Sequence, residues 1–199
     1  MASGLNGMKF NCRSCVTKMK KSEKLNCLHD ATGTYDLCRC YFSYDENYWY
    51  FYILGCSDKL MLGIEEDDFI LDGFQIRKIS DLKKIEIKDD VCVKINEKNG
   101  LLRNVEKPDV DLSSWEAAFE SLKSFGRFVI VKNEKFESGE AFFCIGTIQK
   151  TGKSSVVIAP FDADGNWLDD VEIPYSKITS VTFGDRYSKT WQKYIEETI

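Results

Sequence analysis

Apolar and polar positions recur along this chain with two periods, and the switches between them mark the elements. The clearest helix signal is Ser113-Ser114-Trp115-Glu116, a capping-box pattern in which a serine hydroxyl accepts from a first-turn amide and Glu116 reaches back. Trp115, Ala118, Phe119 and Leu122 follow at i, i+3, i+4 and i+7, so one helical face is apolar, and Gly126 ends the run. Strands are expected next near 127–133, 141–148, 154–160, 170–174 and 178–183. Glu137-Ser138-Gly139-Glu140 and Gln149-Lys150-Thr151-Gly152-Lys153 supply hairpin turns. Phe128 and Ile130 alternate with Val129 and Val131, which predicts a strand covered on both faces. Trp191, Tyr194 and Ile195 mark a short C-terminal helix.

The first part of the chain gives the same order. A helix within 13–31 precedes strands near 35–43, 48–55, 59–64, 73–79 and 82–87, and Val91-Cys92-Val93-Lys94-Ile95 reads as a further strand. Phe51-Tyr52-Ile53-Leu54-Gly55 is echoed by Phe142-Phe143-Cys144-Ile145-Gly146 at an offset of 91. The Asp72-Gly73 turn recurs at Asp164-Gly165, and the stretch 80–85 at 176–181, offsets of 92 and 96. A period this long, seen twice, predicts two related domains in tandem, not a stack of short units. The expected domains are 8–100 and 108–199, joined by a linker containing Lys107-Pro108-Asp109.

One helix followed by five short strands is also the order of a small closed barrel, which avoids free sheet edges. Through Phe128-Val129-Ile130-Val131, Phe142-Phe143-Cys144-Ile145-Gly146 and Ile173-Pro174-Tyr175-Ser176-Lys177-Ile178, the chain resembles the Sm/LSm superfamily over most of 113–185, and more faintly over 20–88. The resemblance implies a mainly β protein of two tandem Sm-like barrels with a short C-terminal helix. The loops that bind RNA in that superfamily carry an Asp/Asn-bearing turn and an Arg-Gly or similar pair. Here they read Gln149-Lys150-Thr151-Gly152-Lys153 and Pro174-Tyr175-Ser176-Lys177, so no RNA-binding residue is carried over.

Charge narrows the partners. The 199 residues hold 27 Lys and Arg against 32 Asp and Glu, a net charge of −5, with the two signs interspersed. The densest basic cluster, Lys18-Met19-Lys20-Lys21 with Lys24, is short, so nucleic-acid binding is disfavoured and a basic protein partner suits the balance better. No apolar run reaches the roughly 20 residues a membrane helix needs, and the first residues lack the blocks of a secretory signal. A cytoplasmic protein without a membrane segment is expected.

Eight cysteines in such a chain suggest metal before disulfides. Cys12, Cys15, Cys27 and His29 supply four zinc-type ligands within 18 residues, although the Cys27-x-His29 half is tighter than the usual pair. Zinc is therefore the one candidate cofactor, and a zinc-dependent sensor or enzyme one alternative function. Cys38, Cys40 and Cys144 fall at strand positions expected to be core, where cysteine acts as a small hydrophobe. His29 is the only histidine, and no nucleophile elbow, P-loop or dinucleotide fingerprint occurs, so no catalytic residue is assigned. Asp162-Ala163-Asp164-Gly165 lacks the spaced ligands of a calcium loop.

The remaining candidates are surface features. Alternation places Tyr48, Tyr50 and Tyr52 on one strand face, and tyrosines bury contact area at low entropic cost. Glu65-Glu66-Asp67-Asp68 forms an acidic hairpin tip. Together they predict a non-catalytic interaction module that captures a basic protein through Tyr48, Tyr50, Tyr52, Glu65, Glu66, Asp67 and Asp68, as immunity proteins capture nuclease toxins. An Sm-like RNA-associated protein is the other alternative.

Overall fold

A computed structural model describes residues 18–198. Helix α1 (Lys21–Thr34) precedes strands β1 (Leu37–Phe42), β2 (Tyr48–Cys56), β3 (Leu60–Asp67), β4 (Ile70–Lys78) and β5 (Leu82–Ile87), then helix α2 (Val91–Asn99). Helix α3 (Trp115–Ser124) opens the second half and is followed by β6 (Val129–Asn133), β7 (Phe142–Thr151), β8 (Ser155–Pro160), β9 (Val171–Pro174), β10 (Ser180–Phe183) and helix α4 (Arg186–Thr198). Helix ends follow local chemistry. Asp90 accepts from the amides of Cys92 and Val93 to start α2, and Gly100 closes it at φ +64°. The hydroxyl of Ser114 accepts from Ala117 N–H to start α3, so the cap lies one residue later than a box closed by Glu116 requires.

Mainly β is correct, but the two closed barrels expected from the resemblance are not what forms. All ten strands join one antiparallel sheet in the order β5-β1-β2-β3-β4-β10-β6-β7-β8-β9, open at β5 and β9. The physical reason lies at β4. Instead of closing on its own half, it pairs with β10, Val181 opposite Ile76 and Phe183 opposite Phe74. Two further expectations change. Val91–Ile95 is the start of α2, because Asp90 supplies a helix cap that its apolar alternation concealed. The N-terminal helix runs over Lys21–Thr34, later than 13–31.

The five-residue echo is also out of register. Cys40 faces Ile85 as Val131 faces Val181, which sets offsets of 91 for β1/β6 and 96 for β5/β10. The bulge between Ile53 and Gly55 recurs between Ile148 and Lys150, an offset of 95. Phe51 therefore corresponds to Gly146, and Ile53 to Ile148 instead of Cys144. The two glycines that made the match stand for different reasons. A Cβ on Gly146 would lie 2.0 Å from the Ala159 carbonyl oxygen, whereas one on Gly55 would meet side-chain carbon of Leu112 at 3.4 Å.

Alternating strand residues enter different apolar clusters. Cys38, Cys40, Phe51, Ile53, Met61 and Ile85 pack under Leu28 and Ala31 of α1. A larger cluster takes Leu62, Ile64 and Ile76 from the first half and Val131, Ile158 and Val181 from the second, beneath Phe119 and Leu122 of α3. Phe128, Ile130, Ile145 and Phe161 lie under Ile195 and Trp191 of α4. Each large side chain buried this way contributes roughly 1.5–3 kcal/mol relative to exposure. Among the described residues no helix is long and apolar enough to cross a membrane.

The seam between the halves holds a fully buried cation. Arg77 on β4 donates to both Glu134 carboxylate oxygens (2.9 and 3.1 Å), to the Tyr44 hydroxyl (2.7 Å) and to Gln75 Oε1 (2.8 Å). Its guanidinium carbon also lies 4.6 Å from the centre of the Phe42 ring and 4.9 Å from Trp49. Replacing Arg77 alone strands the Glu134 charge. Arg77→Met should lower unfolding free energy by about 3–5 kcal/mol. Arg77→Met with Glu134→Leu should recover much of it, and urea denaturation of the parent, the single and the double variant measures both.

Candidate partner-binding edge

The seven residues expected to form one contact surface do not share one. Tyr48 is exposed and Tyr50 half-buried, but the Arg39 guanidinium already lies over them, 4.3 and 5.7 Å from the ring centres. Tyr52 is buried, its hydroxyl accepting from Asn96 Nδ2 at 3.0 Å. Period-two alternation splits the acidic run as well. Glu66 points inward and accepts from Phe69 N–H (2.8 Å) and Asn96 Nδ2 (3.3 Å). Glu65 faces the opposite side, where Gln75 donates to it. Only Asp67 and Asp68 are solvent-exposed, at a turn where Asp68 and Phe69 both have positive φ.

Of the zinc candidates, Cys12 and Cys15 lie outside the described residues. Cys27 and His29 are two apart on α1, which turns their side chains roughly 200° from each other. His29 instead approaches Cys56, with Nδ1 3.6 Å from Sγ. Among the described residues no group of three His, Cys, Asp or Glu side chains is placed to hold a metal. Cys38 and Cys40 are buried core residues, as alternation indicates; burial pushes the Cys38 thiol up to about 12. Cys144 is only partly buried, and its thiol rises to about 11 for the same reason. Asp162 is consumed by its own turn, accepting from the amides of Asp164 and Asn166 at 2.9 Å each.

A different surface emerges where the sheet ends. Among the described residues strand β9 pairs with β8 alone, Ile173 opposite Val156 and Val171 opposite Ile158, and no strand lies beyond it. The corresponding strand of the first half, β4, is covered on that side by β10. At the far end, β5 is shielded: the Lys83 carbonyl accepts from Met19 N–H (3.0 Å), and Lys24 Nζ donates to Leu82 O (2.6 Å). Beside β9 lies an apolar trough of about 620 Å³, walled by the start of β7, the end of β8 and the N-terminal half of α4. Phe143, Leu168 and Tyr187 are each more than half exposed along it. Phe161 and Trp191, with ring centres 5.1 Å apart, form its floor.

The trough is acidic at its mouth. Asp162, half-buried, and Glu172 line it, and Asp169 and Asp170 immediately precede β9; the last three are exposed. Its one lysine, Lys177, is already bound to Glu140. An unpaired strand edge, an apolar trough and the exposed carboxylates of Asp169 and Asp170, which have no ion pair among the described residues, together fit an extended, basic chain. In the sequence Asp169 and Asp170 are two carboxylates at the start of an expected strand; the missing signal is strand order, since only pairing shows that β9 has no outer neighbour among the described residues. Comparison with protein-family models, with curated proteins and with solved structures finds no match.

Burial has one consequence for pH. It pushes the Glu65 carboxyl up to about 7, against the opposing pull of Arg77 and Lys132. The folded state then holds this proton more tightly than the unfolded chain, so stability is greatest near and below the ordinary carboxyl range and falls as pH rises toward 7. Glu65→Gln should flatten that slope and raise stability at pH 8 by about 1–3 kcal/mol. Urea midpoints at pH 5 and pH 8 test this, and an unchanged slope in the variant would remove Glu65 as the cause.

Proposed function

We propose that this protein is a non-catalytic interaction module that captures an extended, basic–apolar segment of another protein by strand addition at β9. The observation that carries the reading is the asymmetry of the two halves: β4 has β10 on its outer side and β9 has no neighbour there among the described residues. A segment taking that position would satisfy the free backbone groups of β9 and lay alternate side chains into the trough beside Phe143 and Val171. Lysine or arginine at the intervening positions would meet Asp169, Asp170 and Glu172. This keeps the expectation of an acidic protein that takes a basic partner and moves the contact from the tyrosine face to the sheet edge. Each half also keeps the helix-then-five-strands order that carried the Sm-like resemblance, and we read the chain as a tandem duplication of that unit whose barrels opened into a shared sheet.

The test is a seven-residue peptide alternating lysine with valine, titrated into isotopically labelled protein. Amide shifts should centre on Val171–Ile173, and a peptide with glutamate replacing each lysine should bind at least tenfold more weakly. Phe143→Ala should weaken the lysine peptide by about tenfold through lost apolar contact. Equal binding of the two peptides, or shifts confined to residues away from β9, would sink the proposal.

A further inference from the structure

Beside the buried Arg77–Glu134 pair lies a cavity of about 750 Å³, between the β1–β2 turn of the first half and the β6–β7 turn of the second. Aromatic rings crowd it: Tyr44, Trp49, Phe136, Phe142 and Phe143 are five of its thirteen lining residues. Three of the rings are fixed by their surroundings. Trp49 Nε1–H donates to Asp45 Oδ2 at 2.8 Å, and Phe143 meets Tyr187 edge-on at 6.2 Å. The Tyr44 hydroxyl accepts from Arg77 at 2.7 Å, and its ring stacks on Phe42 at 5.7 Å. Phe136 is 76% exposed, more than any other large apolar side chain of the described residues. Its backbone is nevertheless held: Gly139 closes the turn at φ +70° and donates to Phe136 O at 3.1 Å, and Asn133 Oδ1 accepts from Lys135 N–H at 3.0 Å. A ring presented to solvent by a structured turn, beside four others, marks an interaction site.

Charge decides the kind of ligand. Asp45, Glu46, Glu134 and Glu137 line the cavity, against one lysine, Lys132. Arg77 neutralises Glu134, which leaves three carboxylates facing Lys132, and none of these four residues has an ion pair among the described residues. A cation is therefore favoured over an anion or a neutral group. The inner carboxylates have few hydrogen bonds left to accept. Asp45 takes one from Trp49 Nε1 and one from the Asn47 amide, at 2.8 Å each. Glu134 takes them from Arg77 and Thr179. A bare ammonium entering here surrenders its three hydrogen bonds to water without full replacement. A quaternary ammonium has no N–H to satisfy, and it sets its charge against ring faces through its methyl groups.

We propose that this cavity binds a quaternary ammonium group, its methyls against the rings of Trp49, Phe136 and Phe143 and its charge balanced by Asp45, Glu46 and Glu137. The volume falls within the range of small-molecule sites. The same group is offered by a free cation of the choline type or by a trimethylated lysine in a protein segment. In the second case the inference rests on the capture of a basic partner and deepens it, because Phe142 and Phe143 line both this cavity and the β9 trough. In the first case it stands without that reading.

Isotopically labelled protein at 50 mM NaCl would be titrated with choline, with its neutral isostere 3,3-dimethylbutanol, and with a pentapeptide whose central lysine is trimethylated or unmodified. Choline should bind with millimolar affinity and the isostere at least about fivefold more weakly. Amide shifts should centre on residues 44–49 and 132–137, away from Val171–Ile173, so that this result and strand addition at β9 stand or fall separately. A trimethylated peptide binding at least tenfold more tightly than choline would identify a protein side chain as the source, and a smaller gain the free cation. Phe136→Ala, at an exposed position, should weaken choline about fivefold while keeping the parent circular dichroism spectrum. Glu46→Gln/Glu137→Gln should lose about threefold, and less in 500 mM NaCl. Choline and its neutral isostere binding equally, the unmodified peptide binding as tightly as the trimethylated one, parent-like choline binding in Phe136→Ala, or no shift from any probe at 20 mM would each overturn the assignment.

Discussion

A buried guanidinium sets the terms for this architecture. Arg77 has no exposed surface, and a cation taken out of water without partners costs several kcal/mol. Its partners come from both halves: Gln75 and Tyr44 from the first, and Glu134, just beyond β6, from the second. Thr179, ahead of β10, donates its hydroxyl to the same Glu134 carboxylate at 3.0 Å. The β4–β10 pairing brings these groups together, and they in turn penalise its separation. The halves are joined by a polar network inside an apolar sheet, which specifies one register as well as a contact.

That seam explains why the two ends of the sheet differ. Once β4 is paired with β10, the sheet cannot close within either half, and two edges remain. One is shielded by Met19 and α1. The other, β9, is only four residues long, carries Pro174 and is flanked by Asp169 and Asp170, features that discourage indiscriminate strand pairing. An edge defended by charge of one sign still admits a strand of the opposite sign, and the aromatic trough beside it offers area to bury. A cleft rich in lysines forms where the N-terminus of α3 lies beside the turns on either side of β3 and β4. Two surfaces of opposite charge thus lie on one molecule.

The helices show how far local chemistry reaches. Ser114 caps α3, and Trp115, Ala118, Phe119 and Leu122 are all buried, as their spacing requires. In α2 the apolar alternation of Val91, Val93 and Ile95 suggested a strand, but Asp90 and Gly100 cap a helix and that local chemistry prevails. The repeated Gly at 55 and 146 misled for a related reason: one residue type answered two different steric demands, a backbone approach at 146 and side-chain packing at 55.

Sequence alone determined the strand content, the helix-then-five-strands order of both halves, the turns and the burial of Cys38 and Cys40, because each follows from periodicity over a few residues. It also displayed the lysines at 18–24 and the acidic residues before β9, but as isolated runs. Tertiary structure decided what those runs face. Glu65 and Glu66 part company because successive strand residues point to opposite faces, and Tyr52 leaves the tyrosine ladder because Asn96 and the apolar cluster cover it. Lys20, Lys59 and Lys153 line one cleft because strand order brings the start of α1 and two distant hairpin turns together. Strand order depends on contacts between residues more than a hundred positions apart, and no local period carries that information.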